Sequence, residues 1–309
     1  MRRASPTKPI FTYDLHTVKN QLQKIKNVFN KATIFYSYKT NPTLGEEIYK
    51  LGIGLQVTSP QHLKEVLKFA SGKDIIYCGK VLDRSILEHL VNKGIHIIAN
   101  SINQVDLIKV SYPEISIGIR VDTENNSQST IFNSSKKGVG IPINKVNNLN
   151  IKDAKIIGIH NHIASQNKDI GNYRENAKQL IRLAKNLKVR YINIGGGFPI
   201  SYGEEVPVIE EYADAFSDWG GELYLEPGRF LVGPTGRLSV EIIEVNGDTA
   251  IINTSLFVSV RDRILSKYEI QLPIKEKGKN WYKIVGNTPC SVDYFGEYSL
   301  KELKEAKIT

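Results

Sequence analysis

Apolar residues along this chain follow two rhythms that take turns. Short runs such as Ala32-Thr-Ile-Phe-Tyr-Ser-Tyr38 and Ile95-His-Ile-Ile-Ala99 are apolar almost throughout, as in strands buried on both faces. Between them, apolar residues recur every three or four positions, as in Leu15, Val18, Leu22, Ile25 and Phe29. That is the spacing of a helix with one buried face. Capping residues stand where this second rhythm begins: Asp14 before the first helix, and Ser59 followed by Pro60 before the segment Gln61 to Ala70. The alternation predicts eight strands, starting at residues 32, 53, 74, 95, 115, 155, 191 and 222. Helices are predicted at 15–29, 44–51, 61–70, 83–93, 102–110, 169–187 and 209–219. This is an α/β pattern, and so many units in about 200 residues predict a (β/α)8 TIM barrel. An open doubly wound sheet is the competing architecture.

After Pro227 the texture changes. Arg237 to Val245 alternates, Asn246-Gly247 is a hairpin signal, and Thr249 to Asn253 follows. Tyr268 to Ile274 and Trp281 to Val285 are further strand candidates, so a C-terminal β-rich domain is predicted behind the barrel. Thr123 to Lys137 is polar and Gly-free and reads as a long surface loop.

Composition narrows the function classes. Of 309 residues, 41% are apolar and 9% aromatic, which suits a packed globular chain rather than a disordered one. No apolar run approaches the roughly 20 residues of a membrane-spanning helix. Met1 to Phe11 is basic but lacks the apolar segment of a secretory signal. Two cysteines, Cys78 and Cys290, cannot form a disulfide framework, so the expected compartment is the cytoplasm. The net charge of +9 favours anionic partners. The lysines are scattered, however, and no nucleic-acid motif accompanies them, so neither nucleic acid nor membrane is an expected partner.

In a parallel barrel the chemistry gathers at the C-terminal ends of the strands. There the sequence offers Lys39, His160 and His162 with Ser165, the run Gly195-Gly196-Gly197, and Glu226 with Arg229. Each has an ordinary reading: a solvated lysine, a tight turn, a surface ion pair worth about 0–1 kcal/mol. Together they suit one cofactor, pyridoxal 5'-phosphate. A desolvated lysine can form a Schiff base. Side-chain-free backbone can cradle a phosphate, an arginine can add charge-assisted bonds to it, and a carboxylate can keep a ring nitrogen protonated. His160 and His162, two apart, would also suit a metal-dependent hydrolase. The other histidines, at 16, 62, 89 and 96, fall on predicted helices or mid-strand, and no metal is expected.

The same residues resemble the fold-type III pyridoxal-phosphate-dependent decarboxylases, the diaminopimelate, ornithine and arginine decarboxylases that share their barrel with alanine racemase. Tyr36-Ser-Tyr-Lys-Thr-Asn41 resembles the family's lysine motif, and Gly54-Leu-Gln-Val-Thr-Ser59 the following strand. His160-Asn-His-Ile-Ala-Ser-Gln166, Asn193-Ile-Gly-Gly-Gly-Phe-Pro199, Glu226-Pro-Gly-Arg229 and Thr288-Pro-Cys-Ser-Val-Asp293 follow in the family's order. The resemblance implies Lys39 as the cofactor lysine, His162 on the ring face, and Glu226 at the ring nitrogen. Ser165, Gly195, Gly196, Gly197 and Arg229 would lie at the phosphate. Cys290 and Asp293 would lie on the substrate side, reaching a partner's site in a homodimer, with Cys290 or Lys39 as general acid. It further implies a barrel over residues 13–234 and a discontinuous β-rich domain from 1–12 and 235–309. The family's later G-A-Y segment does not occur in the sequence, so that domain reads as truncated.

The departures are specific. Gln56 stands where the family has Asp, Ala164 where it has Gly, and its S-K-F-G motif is reduced to Lys137-Gly-Val-Gly140. Ser291 follows the motif cysteine where diaminopimelate decarboxylases carry Glu, which argues against meso-diaminopimelate. The implied activity is decarboxylation of an amino acid or other α-aminocarboxylate, anionic or nucleotide-linked given the charge. A member in specialised metabolism, such as a microcin C-type biosynthesis decarboxylase domain, would fit. A racemase on the same fold and a non-catalytic binding protein are the alternatives.

Overall fold

The structure, a computed structural model, describes residues 8–123, 132–133, 139–146, 154–266, 270, 278–300 and 307–308. The chain divides into two compact units, His16–Pro234 and the pair of segments Met1–Leu15 and Thr235–Thr309.

The first unit is a closed barrel. Its strands are β1 (Thr33–Ser37), β2 (Gly54–Val57), β3 (Ile75–Tyr77), β4 (His96–Ala99), β5 (Ser116–Asp122), β6 (Lys155–His160), β7 (Tyr191–Asn193) and β8 (Glu222–Leu225). Each pairs in parallel with the next, and β8 returns to β1 through Tyr224↔Thr33 and Leu225↔Ile34. Closure excludes the open sheet. Every predicted start lies within one residue of the observed strand, because strands buried on both faces must be continuously apolar.

One aromatic side chain fills much of the barrel's interior. Tyr191 on β7 stacks on Tyr224 at 4.3 Å between ring centroids, and its hydroxyl lies 2.6 Å from His96 Nε2. It fits because β5 and β6 carry Gly118 and Gly158 beside it. A Cβ on Gly158 would come within 2.0 Å of the Tyr191 ring. Burial, and then the charge of Arg190, push the His96 imidazole down to about 4, so it stays neutral against the phenol.

Helices cover the outside. Helix α1 (Leu15–Val28) buries Val18, Leu22 and Ile25 of the predicted stripe; Leu15 at its first position is exposed, and Phe29 is buried just past its end. Helix α2 (Gly45–Tyr49) follows β1. Ser59 caps α3 (Pro60–Val66) through His62 N at 3.2 Å, Asp83 caps α4 (Arg84–Asn92), and Asp169 caps α6 (Ile170–Leu187). Helix α5 (Ile102–Ser111) lies between α4 and α6 in sequence, and α7 (Ile209–Asp214) precedes β8. Helices α2, α3 and α7 are shorter than predicted. The pattern continues past Val66 and Asp214 as isolated turns such as Phe69 N to Val66 O and Trp219 N to Phe216 O.

The second unit contains two sheets. Ile10–Tyr13 pairs antiparallel with Gly236–Ser239, which also carries Lys307–Ile308. A second sheet runs Ile242–Asn246, Thr249–Ile252, Asn280–Val285, Tyr294–Leu300 over a core of Ala250, Ile252, Leu256, Ile270, Ile284 and Phe295. The alternating run from Arg237 to Val245, expected as one strand, is split between the two sheets. Alternation reports a half-buried face but not which partner pairs with it. The hairpin at Asn246-Gly247 is present, with Gly247 at φ +60°. Of Tyr268 to Ile274 only Ile270 lies within the described residues. Within the predicted polar loop, Phe132–Asn133 forms a short strand antiparallel to Ala164–Ser165; most of the rest, with Lys137 and Gly138 of Lys137-Gly-Val-Gly140, lies outside the described residues.

Candidate active site

Four turns leaving β1, β6, β7 and β8 are stitched together at one mouth of the barrel. The backbone of β1 enters its turn with Ser37 N donating to Pro227 O at 3.1 Å, which ties it to the turn after β8. The two turns are in close packing, since a Cβ on Gly228 would come within 2.1 Å of Thr40 Oγ1. Lys39 lies on this turn and is exposed, not desolvated as the Schiff-base expectation had it, because the turn carries it past the apolar end of the strand. It is close enough to His162 to act on it: burial first, then the charges of Lys39 and Arg120, hold that imidazole well below its ordinary value. A neutral His162 keeps Nδ1 as an acceptor, and Gly196 N donates to it at 3.3 Å.

The turn after β7 cannot tolerate side chains. Gly195 and Gly197 have φ +66° and +91°, and a Cβ on Gly196 would lie 2.4 Å from Glu226 O. Glu226 N donates to Gly195 O at 2.6 Å, and Asn167 N to Gly197 O at 3.0 Å. Gln166 clamps the far end, donating from Nε2 to Ile200 O at 2.9 Å and accepting from Ile200 N at 2.8 Å. The result is a fixed bend whose backbone lies beside His162, Ala164 and Glu226. Ser165, half-buried, follows directly from Ala164 on the short strand.

Behind the bend sits the carboxylate. Glu226 is 7% exposed and accepts from Asn193 Nδ2 at 2.7 Å, while Asn193 Oδ1 accepts from Gly195 N at 2.9 Å. His160 Nε2 faces the other carboxylate oxygen at 3.5 Å, and His160 Nδ1 faces Cys78 Sγ at 3.7 Å. Burial alone would raise the carboxyl, but the charge of His160 at 3.5 Å and the hydrogen bond from Asn193 outweigh it and hold Glu226 low, at about 2. Burial likewise works against a charged His160, and Glu226 and Cys78 overcome it. The two predicted histidines therefore do not act as a pair. His160 turns inward to Glu226 and His162 faces the glycine bend. Among the described residues no group of three His, Cys, Asp or Glu side chains could hold a metal ion.

Arg229 opens α8 (Arg229–Val232) and donates from Nη1 to Tyr202 Oη at 2.7 Å. Gln56, in the place of the family's Asp, is buried and accepts from Ser37 Oγ at 3.4 Å. Cys290 and Asp293 belong to the second unit. Cys290 is exposed on the turn between Asn280–Val285 and Tyr294–Leu300. Asp293 is 2% exposed, and its oxygens already accept from Leu256 N at 2.8 Å, Thr288 N at 3.2 Å and Thr288 Oγ1 at 2.7 Å. This corrects its expected contact with a substrate amine: the carboxylate holds the turn that presents Cys290. Asn193, Gln166, Tyr202 and Cys78 join the site only through the structure. Asn193 and Gln166 stand inside the family-like motifs, a signal the sequence carries; Cys78 and Tyr202 stand in no motif.

Residues 15–233 match the family model described as pyridoxal-dependent decarboxylase, pyridoxal binding domain. The diaminopimelate decarboxylase of Aquifex aeolicus is 27% identical over 90% of this chain and 74% of its own length. A crystal structure of Helicobacter pylori diaminopimelate decarboxylase complexed with L-lysine superposes with a TM-score of 0.86 at 21% identity, covering 98% of this chain and 84% of that one. The Paramecium bursaria Chlorella virus arginine decarboxylase bound to agmatine reaches the same score at 18% identity, covering 98% and 89%. These two structures carry the fold.

Proposed function

Because the chain belongs to the pyridoxal-dependent decarboxylase family, we propose that it removes the α-carboxylate of an amino acid, with Lys39 carrying the cofactor. The observation that carries this reading is the buried Glu226, held by Asn193 and faced by His160, set behind a side-chain-free bend on the same mouth as His162 and the turn that bears Lys39.

The donor set suits pyridoxal phosphate. A protonated ring nitrogen needs a carboxylate that does not take its proton, and Glu226 is held low by Asn193 and His160. The phosphate needs backbone N–H groups, a hydroxyl and a guanidinium; Gly197, Ser165 and Arg229 would offer them beside the Gly195–Gly196 backbone, whose own N–H groups are engaged by Asn193 Oδ1 and His162 Nδ1. The ring face needs a flat uncharged neighbour, which His162 supplies. When bound, the cofactor supplies an electron sink for the bond that loses CO2. In this reading Lys39 holds the cofactor covalently, Glu226 holds a proton on the ring nitrogen, and His162 shields one face from water. Cys290 delivers the proton that replaces the carboxylate, and the Asp293 hydrogen bonds fix its turn.

Among the described residues no helix is long and apolar enough to cross a membrane. We infer a cytoplasmic homodimer in which Cys290 serves the partner copy, to be tested by sizing and by mixing Lys39→Ala with Cys290→Ala chains. Activity regained on mixing supports shared sites; none argues against them. For substrate, Ser291 after the motif cysteine and the +9 charge favour an anionic or nucleotide-linked α-aminocarboxylate over meso-diaminopimelate. The test is CO2 release from a panel of basic, acidic and nucleotide-linked α-amino acids together with meso-diaminopimelate. CO2 from one of them, abolished by Lys39→Ala, is expected. Turnover of meso-diaminopimelate would overturn the substrate reading, and silence across the panel with no adduct on Lys39 would overturn the activity.

A further inference from the structure

Behind Glu226 runs a chain of buried titratable groups that decarboxylation leaves without a task. His160, at the end of β6, is 2% exposed, and Cys78, just past β3, is 4% exposed. His160 Nε2 stands 3.5 Å from Glu226 Oε2, His160 Nδ1 stands 3.7 Å from Cys78 Sγ, and Cys78 Sγ stands 3.6 Å from Asn100 Oδ1. Three strands thus place a thiol, an imidazole and a carboxylate in a row inside the barrel.

A carboxyl in such a place tends to take up a proton, because burial penalises the charged form. Two neighbours oppose this. Asn193 offers one amide hydrogen bond to Oε1, a dipole rather than a charge. Among the described residues, His160 is the one placed at short range from Oε2 that can offer a full positive charge, and only if it is protonated. Its own burial resists that; Glu226 first, and then the sulfur on its other nitrogen, favour it. Among the described residues, other charged or titratable groups coupled to this row are Tyr77 on β3, Arg120 on β5, His162 after β6 and Tyr191 on β7, with Lys39 after β1 acting on His162.

We propose that His160, oriented by Cys78, is a positioning residue that keeps Glu226 an ionised carboxylate inside the barrel before any cofactor arrives. The shifts agree in sign. Glu226 is held at about 2, and His160 is raised to about 9 against its burial. The consequence for the ring nitrogen rests on the reading given above, but the ionisation itself does not.

The test is therefore made on the full chain without cofactor, by infrared spectroscopy of the carboxyl stretch at neutral pH. His160→Asn is expected to gain a protonated-carboxyl band that the unaltered protein lacks. The band should be absent from His160→Asn combined with Glu226→Gln, and weaker in Cys78→Ala than in His160→Asn. A folded His160→Asn chain with no new band, or with a band that survives Glu226→Gln, overturns the proposal. If His160→Asn does not fold, nitrogen-15 NMR of the unaltered chain decides. His160 is expected to remain protonated beyond pH 8, and a neutral ring at pH 7 overturns the proposal. Glu226→Gln loaded with pyridoxal phosphate separates the two readings. An unchanged cofactor spectrum and affinity would remove Glu226 from the ring nitrogen while leaving the infrared result untouched.

Discussion

Glu226 and Lys39 sit across one mouth, on turns joined by Ser37 N and Pro227 O, yet their surroundings are opposites. Glu226 is buried, with Asn193, His160 and the Gly195 backbone around it, and His160 is backed by Cys78. Lys39 is exposed on a short turn, and its neighbours Thr40 and Asn41 are exposed or half-buried. The difference separates two requirements of one reaction. Electrostatics that must not reorganise are built into the barrel wall in advance. In the proposed reaction Lys39 would hold the cofactor, and its exposed turn leaves the amine where a substrate can reach it.

Lys39→Ala should give the largest effect, and only on activity. CO2 release should fall by at least ~10²–10⁴-fold, the scale of losing a positioned catalytic group. Unfolding by denaturant should change by no more than about 0.5 kcal/mol, because the side chain is exposed. Glu226→Ala should show the reverse emphasis. It strands a buried charge on His160, so stability should fall by about 3–5 kcal/mol. Glu226→Gln, which keeps an acceptor for Asn193, should lose less in the same measurement. If Lys39→Ala proved the more destabilising change, the contrast between the two sides would be wrong.

Gly196→Ala comes next. Its Cβ would meet Glu226 O, so the bend must shift, at about 1–3 kcal/mol. Pyridoxal phosphate affinity, read by titration of cofactor absorbance, should fall by about 10-fold or more. An unchanged affinity would mean that the bend does not hold the cofactor.

The buried pair also sets a pH window. Glu226 is depressed from 4.5 to about 2, so its contribution is present above 4.5 and is lost as pH falls toward 2. His160 is raised from 6.5 to about 9, so its contribution is complete below 6.5 and is lost as pH rises through 9. The stability difference between the unaltered chain and His160→Asn should therefore peak between pH 4.5 and 6.5 and shrink on both sides. A difference flat with pH would contradict the pairing. The smallest effect belongs to the outer rim, where Lys168 and Glu204 form an exposed ion pair. Glu204→Gln should cost less than about 1 kcal/mol, because solvent screens such pairs.

Much of this was legible in the sequence for identifiable reasons. The barrel strands are short apolar runs closed by caps such as Ser59, Asp83 and Asp169, so their starts follow from local pattern. The site residues stand on strand exits, and their order along the chain made a resemblance visible that no single motif carried. What local pattern does not contain is who meets whom across the barrel. Cys78, His160 and Glu226 come from three strands, and the two histidines of one motif diverge because residue 160 ends a strand while residue 162 has left it. Asp293 stands in a substrate-side motif, but its oxygens accept from Leu256 N, Thr288 N and Thr288 Oγ1, partners that local pattern does not reveal. The run from Arg237 to Val245 alternates correctly for both sheets that share it.

The central claim is that Lys39 carries the cofactor while Glu226 faces it. Its most direct test is borohydride reduction of the chain saturated with pyridoxal phosphate, followed by mass mapping of the peptides. The account predicts one reduced cofactor adduct, on the peptide containing Lys39. An adduct on another lysine, or none on a folded and saturated chain, would contradict it.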